Sequence, residues 1–225
     1  MNPWGPSDTF YLDLIMSAER VLDVGCGTGI LLRSARDAGH NGRLTGIDPD
    51  ASMLDQAQIR TDIEWVLADA ASAAWNGEFD LAVMASHAFQ VFVTDDELRR
   101  SLRAIRAALV PGGRFAFETR HPQARAWEGW NTSFQVANTD GETVTVTYRV
   151  LDVTGEVVRF TESLSGPWWD EPQTEPGTLR FPDRESLTAF LHEGGFVVDE
   201  QFGDWGRGPV TADSQEIITI ARRVS

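Results

Sequence analysis

The sequence predicts an α/β fold: a doubly wound, mostly parallel seven-stranded sheet with an antiparallel terminal hairpin and a β-rich insertion after strand 5. Three observations lead there. From about residue 21 to 120, short apolar runs alternate with helical patterns, as in βαβ units packed around a parallel sheet. Over Thr143, Val144, Thr145, Val146, Thr147 and Tyr148 the period becomes two, as in an antiparallel strand with one buried face. The last two strand-like segments are joined by a Gly/Pro-containing loop with no helix between them, so they pair antiparallel.

The strands are expected at 21–24, 44–48, 63–68, 79–85 and 114–119. Their unbroken apolar character suits burial on both faces. Asp50 stands as N-cap before a helix over 51–59, and Thr94 with Glu97 forms a capping box before Leu98. Leu98, Leu102, Ile105 and Leu109 then recur on one helical face until Pro111-Gly112-Gly113 turns the chain. In the insertion, Asp140-Gly141 and Thr154-Gly155 supply turns, 156–164 returns as a strand, and 166–177 reads as an irregular Pro/Trp-rich loop. Asp183 caps a last helix carrying Leu187, Phe190 and Leu191, and strands follow at 196–202 and 216–222. The parts expected are a main domain from 1–120 and 181–225, and an insertion over 121–180 that would act as a substrate lid.

Composition narrows the function. The 225 residues carry a formal charge of −15, which opposes phosphate backbones and anionic membranes, so neither nucleic acid nor membrane is expected as partner. No apolar run reaches the roughly 20 residues that span a bilayer, and residues 1–20 show no secretory signal. With a single cysteine, Cys26, a cytoplasmic setting is expected. No metal-ligand spacing is visible, so no metal site is expected.

The strongest chemical signal is Val21-Leu22-Asp23-Val24-Gly25-Cys26-Gly27-Thr28-Gly29. A buried strand runs into a glycine turn that lets backbone approach a ligand, and a helix N-terminus follows. Asp48, in Gly46-Ile47-Asp48-Pro49-Asp50 at the end of the next strand, is placed to accept hydrogen bonds from ribose hydroxyls. Together they indicate an adenosine-containing ligand at the C-terminal sheet edge. Ile30 stands where a dinucleotide fingerprint wants its third glycine.

The first motif instead resembles that of class I S-adenosylmethionine-dependent methyltransferases, a Rossmann-like family. Three further stretches resemble the family in order and spacing: Asp69-Ala70, Phe79-Asp80-Leu81-Ala82-Val83, and Leu109-Val110-Pro111-Gly112-Gly113-Arg114. The resemblance implies S-adenosyl-L-methionine as cofactor. It implies that Gly25, Cys26 and Gly27 lie against the methionine part and that Asp23 reaches its amine. It also implies Asp48 on the ribose, Pro49 and Met53 beside the adenine, Asp69 with Ala70 at the adenine edge, and Met84 and Ala85 facing the sulfonium.

Methyl transfer from a sulfonium needs alignment and exclusion of water, and a base only where the acceptor must lose a proton. His87 and His121 are the catalytic candidates, with His87 equally readable as a positioning or structural group; Glu118 sits at the same edge. Gln90, Arg120, Trp127 and Trp168 are the substrate candidates. The insertion's tryptophans would wall a pocket, form the insertion's own core, or serve in a homodimer contact. The expected activity is methyl transfer to an N or O atom of a small-molecule acceptor. The competing readings are a nicotinamide-dependent oxidoreductase and a non-catalytic cofactor-binding protein on the same fold.

Overall fold

The computed structural model describes residues 4–72, 74–137 and 141–224. Asp140 of the expected turn, and the outermost residues Met1 and Ser225 of the expected main domain, lie outside the described residues. Seven strands form one sheet: β1 (Arg20–Val24), β2 (Arg43–Asp48), β3 (Glu64–Leu67), β4 (Phe79–Met84), β5 (Leu109–Arg120), β10 (Phe196–Phe202) and β11 (Glu216–Arg223). Four more form a second sheet: β6 (Thr132–Ala137), β7 (Thr143–Thr154), β8 (Val157–Ser165) and β9 (Gln173–Arg180). The helices are α1 (Pro6–Met16), α2 (Ile30–Asp37), α3 (Ala51–Ala57), α4 (Asp95–Ala108) and α5 (Arg184–Glu193).

The large sheet runs β10-β11-β5-β4-β1-β2-β3, parallel from β3 to β5, with β11 antiparallel to both β5 and β10. The strand order reverses between β1 and β4, which opens a crevice at their C-terminal ends. Both faces of the sheet are covered. Phe115 and Phe117 of β5 and Ile217 of β11 pack with Phe89, Leu98, Leu102, Ile105, Leu187 and Leu191 on one face. Ala116, Ile218 and Ile220 pack with Phe10, Tyr11, Ile15 and Leu32 on the other. Successive residues of a strand point to opposite faces, so β5 and β11 must be apolar at consecutive positions.

The helix signals act as expected. Asp50 accepts the Ser52 N–H at 2.8 Å, Thr94 and Glu97 close a reciprocal capping box, and Asp183 accepts the Ser186 N–H at 2.7 Å. Two expectations are corrected. Pro111-Gly112-Gly113 is no separate turn: β5 already starts at Leu109, and the register with β4 jumps from Phe79↔Leu109 to Leu81↔Arg114, so these residues form a bulge. The 166–177 loop is strand from Gln173 onward, because β9 pairs with β8 from Gln173↔Leu164 to Arg180↔Val157.

The second sheet has one apolar and one hydroxyl-rich face. Val144, Val146 and Tyr148 alternate along β7 with Thr143, Thr145 and Thr147, and Ser133–Thr147 (2.8 Å) and Ser163–Thr174 (2.7 Å) bridge neighbouring strands. Its return to the main sheet is pinned at Arg180. That guanidinium pairs with Glu156 and Asp95, both at 2.8 Å, and the Arg180 carbonyl accepts Gln90 Nε2 at 2.8 Å. Phe181 is buried beside it against Trp127 and Trp130.

Candidate active site

The loop after β1 is built by backbone. Gly25 and Cys26 donate their N–H groups to the Ile47 carbonyl at 2.8 and 3.0 Å, and Gly29 donates to Cys26 at 2.9 Å. Gly25, Gly27 and Gly29 all have left-handed φ, at 76°, 52° and 71°, a region costly for residues with a Cβ. The three differ in surroundings. A Cβ on Gly29 would meet the Trp65 ring at 2.3 Å, one on Gly25 would lie 3.1 Å from the Ala88 methyl, and one on Gly27 meets nothing within 4 Å. Gly29 is thus required by packing, whereas Gly27 faces open space.

Asp48 braces this loop from β2. Its Oδ2 accepts the Gly27 N–H at 2.7 Å and its Oδ1 accepts the Asp50 N–H at 2.9 Å. Each carboxylate oxygen keeps a further lone pair for a ligand hydroxyl. Asp23 lies on the adjacent strand, almost wholly buried at 2 % exposure. Among the described residues, no donor reaches its carboxylate. Burial, reinforced by the nearby charges of Asp48 and Glu118, pushes its pKa up to about 7. Cys26 is buried with its pKa raised, first by burial and then by Asp23 and Asp48, so it stays a thiol. Ile30, Pro49, Met53 and Leu67 leave exposed apolar side chains at the same ends of the strands. Asp69 accepts the Ser72 N–H at 2.7 Å and caps the short turn Ala70–Ser72, whose Ala70 is buried.

Beside Met84 and Ala85 the chain turns sharply, with Ser86 and His87 both left-handed at φ 57° and 61°. Two consecutive non-glycine residues in that region need outside support, and Glu118 of β5 provides it. One Glu118 oxygen accepts the His87 N–H at 2.8 Å, and the other accepts a short hydrogen bond from the Tyr11 hydroxyl, which also lies 3.5 Å from the Met84 carbonyl. Burial raises the pKa of Glu118, and burial with Glu118 beside it raises that of Tyr11. The His87 ring meets Glu216 of β11 through Nε2 at 2.9 Å. With Nε2–H donated to a carboxylate, Nδ1 is left with its lone pair, and among the described residues it has no partner.

The remaining candidates separate. Arg120 lies cross-strand from Glu216. Gln90 is corrected as a direct substrate contact. It is fully buried, its Oε1 accepts both the Arg120 N–H (3.2 Å) and Nη1 (3.0 Å), and its Nε2 is given to Arg180, so it braces Arg120 instead. His121 is buried, with Nδ1 accepting the Gln123 N–H at 3.1 Å, and burial lowers its pKa. It caps a turn, and among the described residues no hydrogen bond or ion pair joins it to His87. Trp127 packs edge-on against Phe181, 4.7 Å between centroids, in the hinge of the insertion. Trp168 is 48 % exposed, against Trp169 in the β8–β9 loop, at the opposite end of β9 from Arg180. The seven residue steps from Gln173 to Arg180 span roughly 23 Å, which sets the length of strand between that loop and Arg180.

Sequence reading missed Tyr11 and Glu216 altogether. Tyr11 sits on a helix with no expected boundary, and Glu216 reads as the polar first residue of the last strand. Only the fold brings them to His87. Among the described residues no group of three metal-ligating side chains is present, and no helix is long and apolar enough to cross a membrane.

Residues 21–113 match the methyltransferase domain family. Over 221 residues the chain is 26 % identical to a cypemycin N-terminal methyltransferase from Streptomyces sp, covering 92 % of this chain and 84 % of that protein. It is 34 % identical over 131 residues to 2-phytyl-1,4-naphtoquinone methyltransferase from Thermosynechococcus vestitus, where the match spans 56 % of each protein. The fold matches that of CalS10 with bound S-adenosylmethionine, an amino pentose methyltransferase from Micromonospora echinaspora, with TM-score 0.74 and 23 % identity over 98 % of this chain and 92 % of that one. Residues 21–113 thus carry a methyltransferase domain, on a fold that in CalS10 holds S-adenosylmethionine as cofactor.

The residues present fit that cofactor. Asp23 is a buried carboxylate lacking a protein donor, and open space lies over Gly27. An ammonium supplies the missing donor to the first, and an amino-acid tail needs the second.

Proposed function

We propose that the protein methylates an amine nitrogen of a small-molecule acceptor, held beside His87. The observation that carries this reading is the concentration of carboxylates around one imidazole: Glu216 on its Nε2, Glu118 on its backbone N–H, and Asp23 close enough to shift with Glu118. Such a site attracts an ammonium and disfavours an anionic acceptor.

When bound, S-adenosylmethionine supplies a methyl group on a sulfonium that leaves as a neutral thioether. The chain's own residues then have three tasks. Asp23, Gly25, Cys26 and Gly27 hold the amino-acid end, while Asp48, Pro49, Met53, Asp69 and Ala70 line the nucleoside end. Met84, Ala85 and Tyr11 close the centre against water, which sharpens its electrostatics. His87 takes the proton that the acceptor ammonium must lose to expose its lone pair, with Glu216 fixing the ring and stabilising the imidazolium. The name of the cypemycin N-terminal methyltransferase agrees with a nitrogen acceptor.

The test is transfer of a 13C-labelled methyl group to matched amines and alcohols, with the product read by NMR. N-methyl signals from the amines support the reading. O-methyl signals from the alcohols, with the amines untouched, overturn it.

A further inference from the structure

A cavity of about 300 Å³ lies between β5 and the apolar face of the second sheet, lined by Arg120, Trp130, Tyr148, Phe160, Glu162 and Leu179. Arg120 is its cation. The guanidinium stands over the Trp130 ring, 5.4 Å from the centroid, and its one hydrogen bond within the described chain is Nη1 to Gln90. It forms no ion pair with any described residue. Burial pulls its pKa down, while Glu216 and Glu118 support its charge from beyond ion-pair distance. The remaining N–H groups form a planar fork of the shape that grips an oxyanion through two parallel bonds. Gln90 holds that fork from behind and is itself tied to Arg180, so the geometry is set before any ligand arrives.

Glu162 is the cavity's opposing charge. Tyr148 is its cross-strand partner, and burial together with the Glu162 charge raises the Tyr148 pKa. The guanidinium can grip one compact, singly charged anion, with Glu162 opposing any further negative charge. A phosphate dianion would need more positive charge than this cavity offers.

From this we propose that the cavity is a carboxylate subsite of the acceptor, with Arg120 as its anchor. Arg120 is cross-strand from Glu216, which holds His87, so the subsite adjoins the amine end. The acceptor is therefore a zwitterion of the amino-acid type, a conclusion that rests on the amine reading; the carboxylate subsite itself does not.

The experiment is calorimetric titration of the protein saturated with S-adenosylhomocysteine. The ligands are amino acids, their carboxamides, hydroxy acids of the same skeleton, and inorganic phosphate. The acids are expected to bind about tenfold to a hundredfold more tightly than the amides. Arg120→Gln should reduce that preference to less than about twofold, Arg120→Lys should retain part of it, and Glu162→Gln should strengthen acid binding by removing repulsion. Equal binding of acids and amides, a preference that survives Arg120→Gln, no binding of either, or phosphate binding more tightly than the acids would each overturn the subsite. Hydroxy acids binding as tightly as amino acids, with the same dependence on Arg120, would leave the subsite standing and remove the amine reading.

Discussion

The two sheets of this molecule solve different problems with different materials. The seven-stranded sheet presents its ligand with backbone: glycines in left-handed conformations, two carboxylates at strand ends, and a helix start. The four-stranded sheet presents side chains, with Tyr148, Phe160 and Glu162 facing Arg120 and Trp130. Backbone presentation needs particular residues at fixed spacing, because only glycine tolerates the geometry cheaply. Side-chain presentation needs only that some strand arrive with a suitable group. A cofactor common to many proteins suits the first arrangement, and an acceptor that differs from one to the next suits the second.

Four substitutions sharpen or break that division. The largest effect is expected at the centre, where His87→Ala should lower kcat by about 10²- to 10⁴-fold while cofactor affinity changes little. Steady-state kinetics beside calorimetry checks this, and full activity across a pH series would make His87 structural. Next comes Asp23. Its folded pKa of about 7 lies above the ordinary 3.8, so the folded state holds a proton that the unfolded state has released. Its contribution to stability is present below pH 4 and is lost as pH rises to 7, on the order of 4 kcal/mol in all. Asp23→Asn should therefore become progressively more stable than the parent between pH 4 and 7, as read by denaturant melts, while its cofactor affinity falls. Parallel stability curves would show that Asp23 is not strained.

A smaller effect is expected at Asp48, where alanine should weaken cofactor binding by about 1–3 kcal/mol through lost charged hydrogen bonds. Unchanged calorimetric affinity in a folded variant would remove Asp48 from the nucleoside site. The smallest is at Trp168, where alanine should change kcat/KM by less than about twofold and stability by under about 0.5 kcal/mol, as for an exposed residue with few partners. A large rise in KM would bring the far end of the second sheet back into acceptor binding.

These differences also explain what the sequence could reveal. The inner strands of the large sheet were legible because they are buried on both faces, whereas the edge strands β3 and β10 are partly exposed. The crevice was legible because Gly25, Gly27 and Gly29 alternate directly after one strand and Asp48 closes the next. The helix caps were legible because Asp50, Thr94 and Asp183 act within three residues of themselves. The cluster around His87 was not legible in the same way. Tyr11, His87, Glu118 and Glu216 come from four distant segments, and each alone resembles a core tyrosine, a loop histidine or a strand-end acid. Gln90 shows the opposite error. Its position in the chain suited a substrate contact, but both ends of its amide are engaged in holding Arg120 and the return of β9.

The account stands on Asp23 being the unsatisfied carboxylate that the cofactor's ammonium completes, and proton release on binding measures this most directly. Titrating S-adenosylmethionine at pH 6.5 in buffers of different ionisation enthalpy should show release of more than half a proton. Asp23 is then mostly protonated, whereas the cofactor's amine, with an α-amino pKa of roughly 7.7–8.0, is already charged. The release should vanish in Asp23→Asn. Binding without proton release in the parent protein, at an affinity that Asp23→Asn leaves unchanged, would contradict the account.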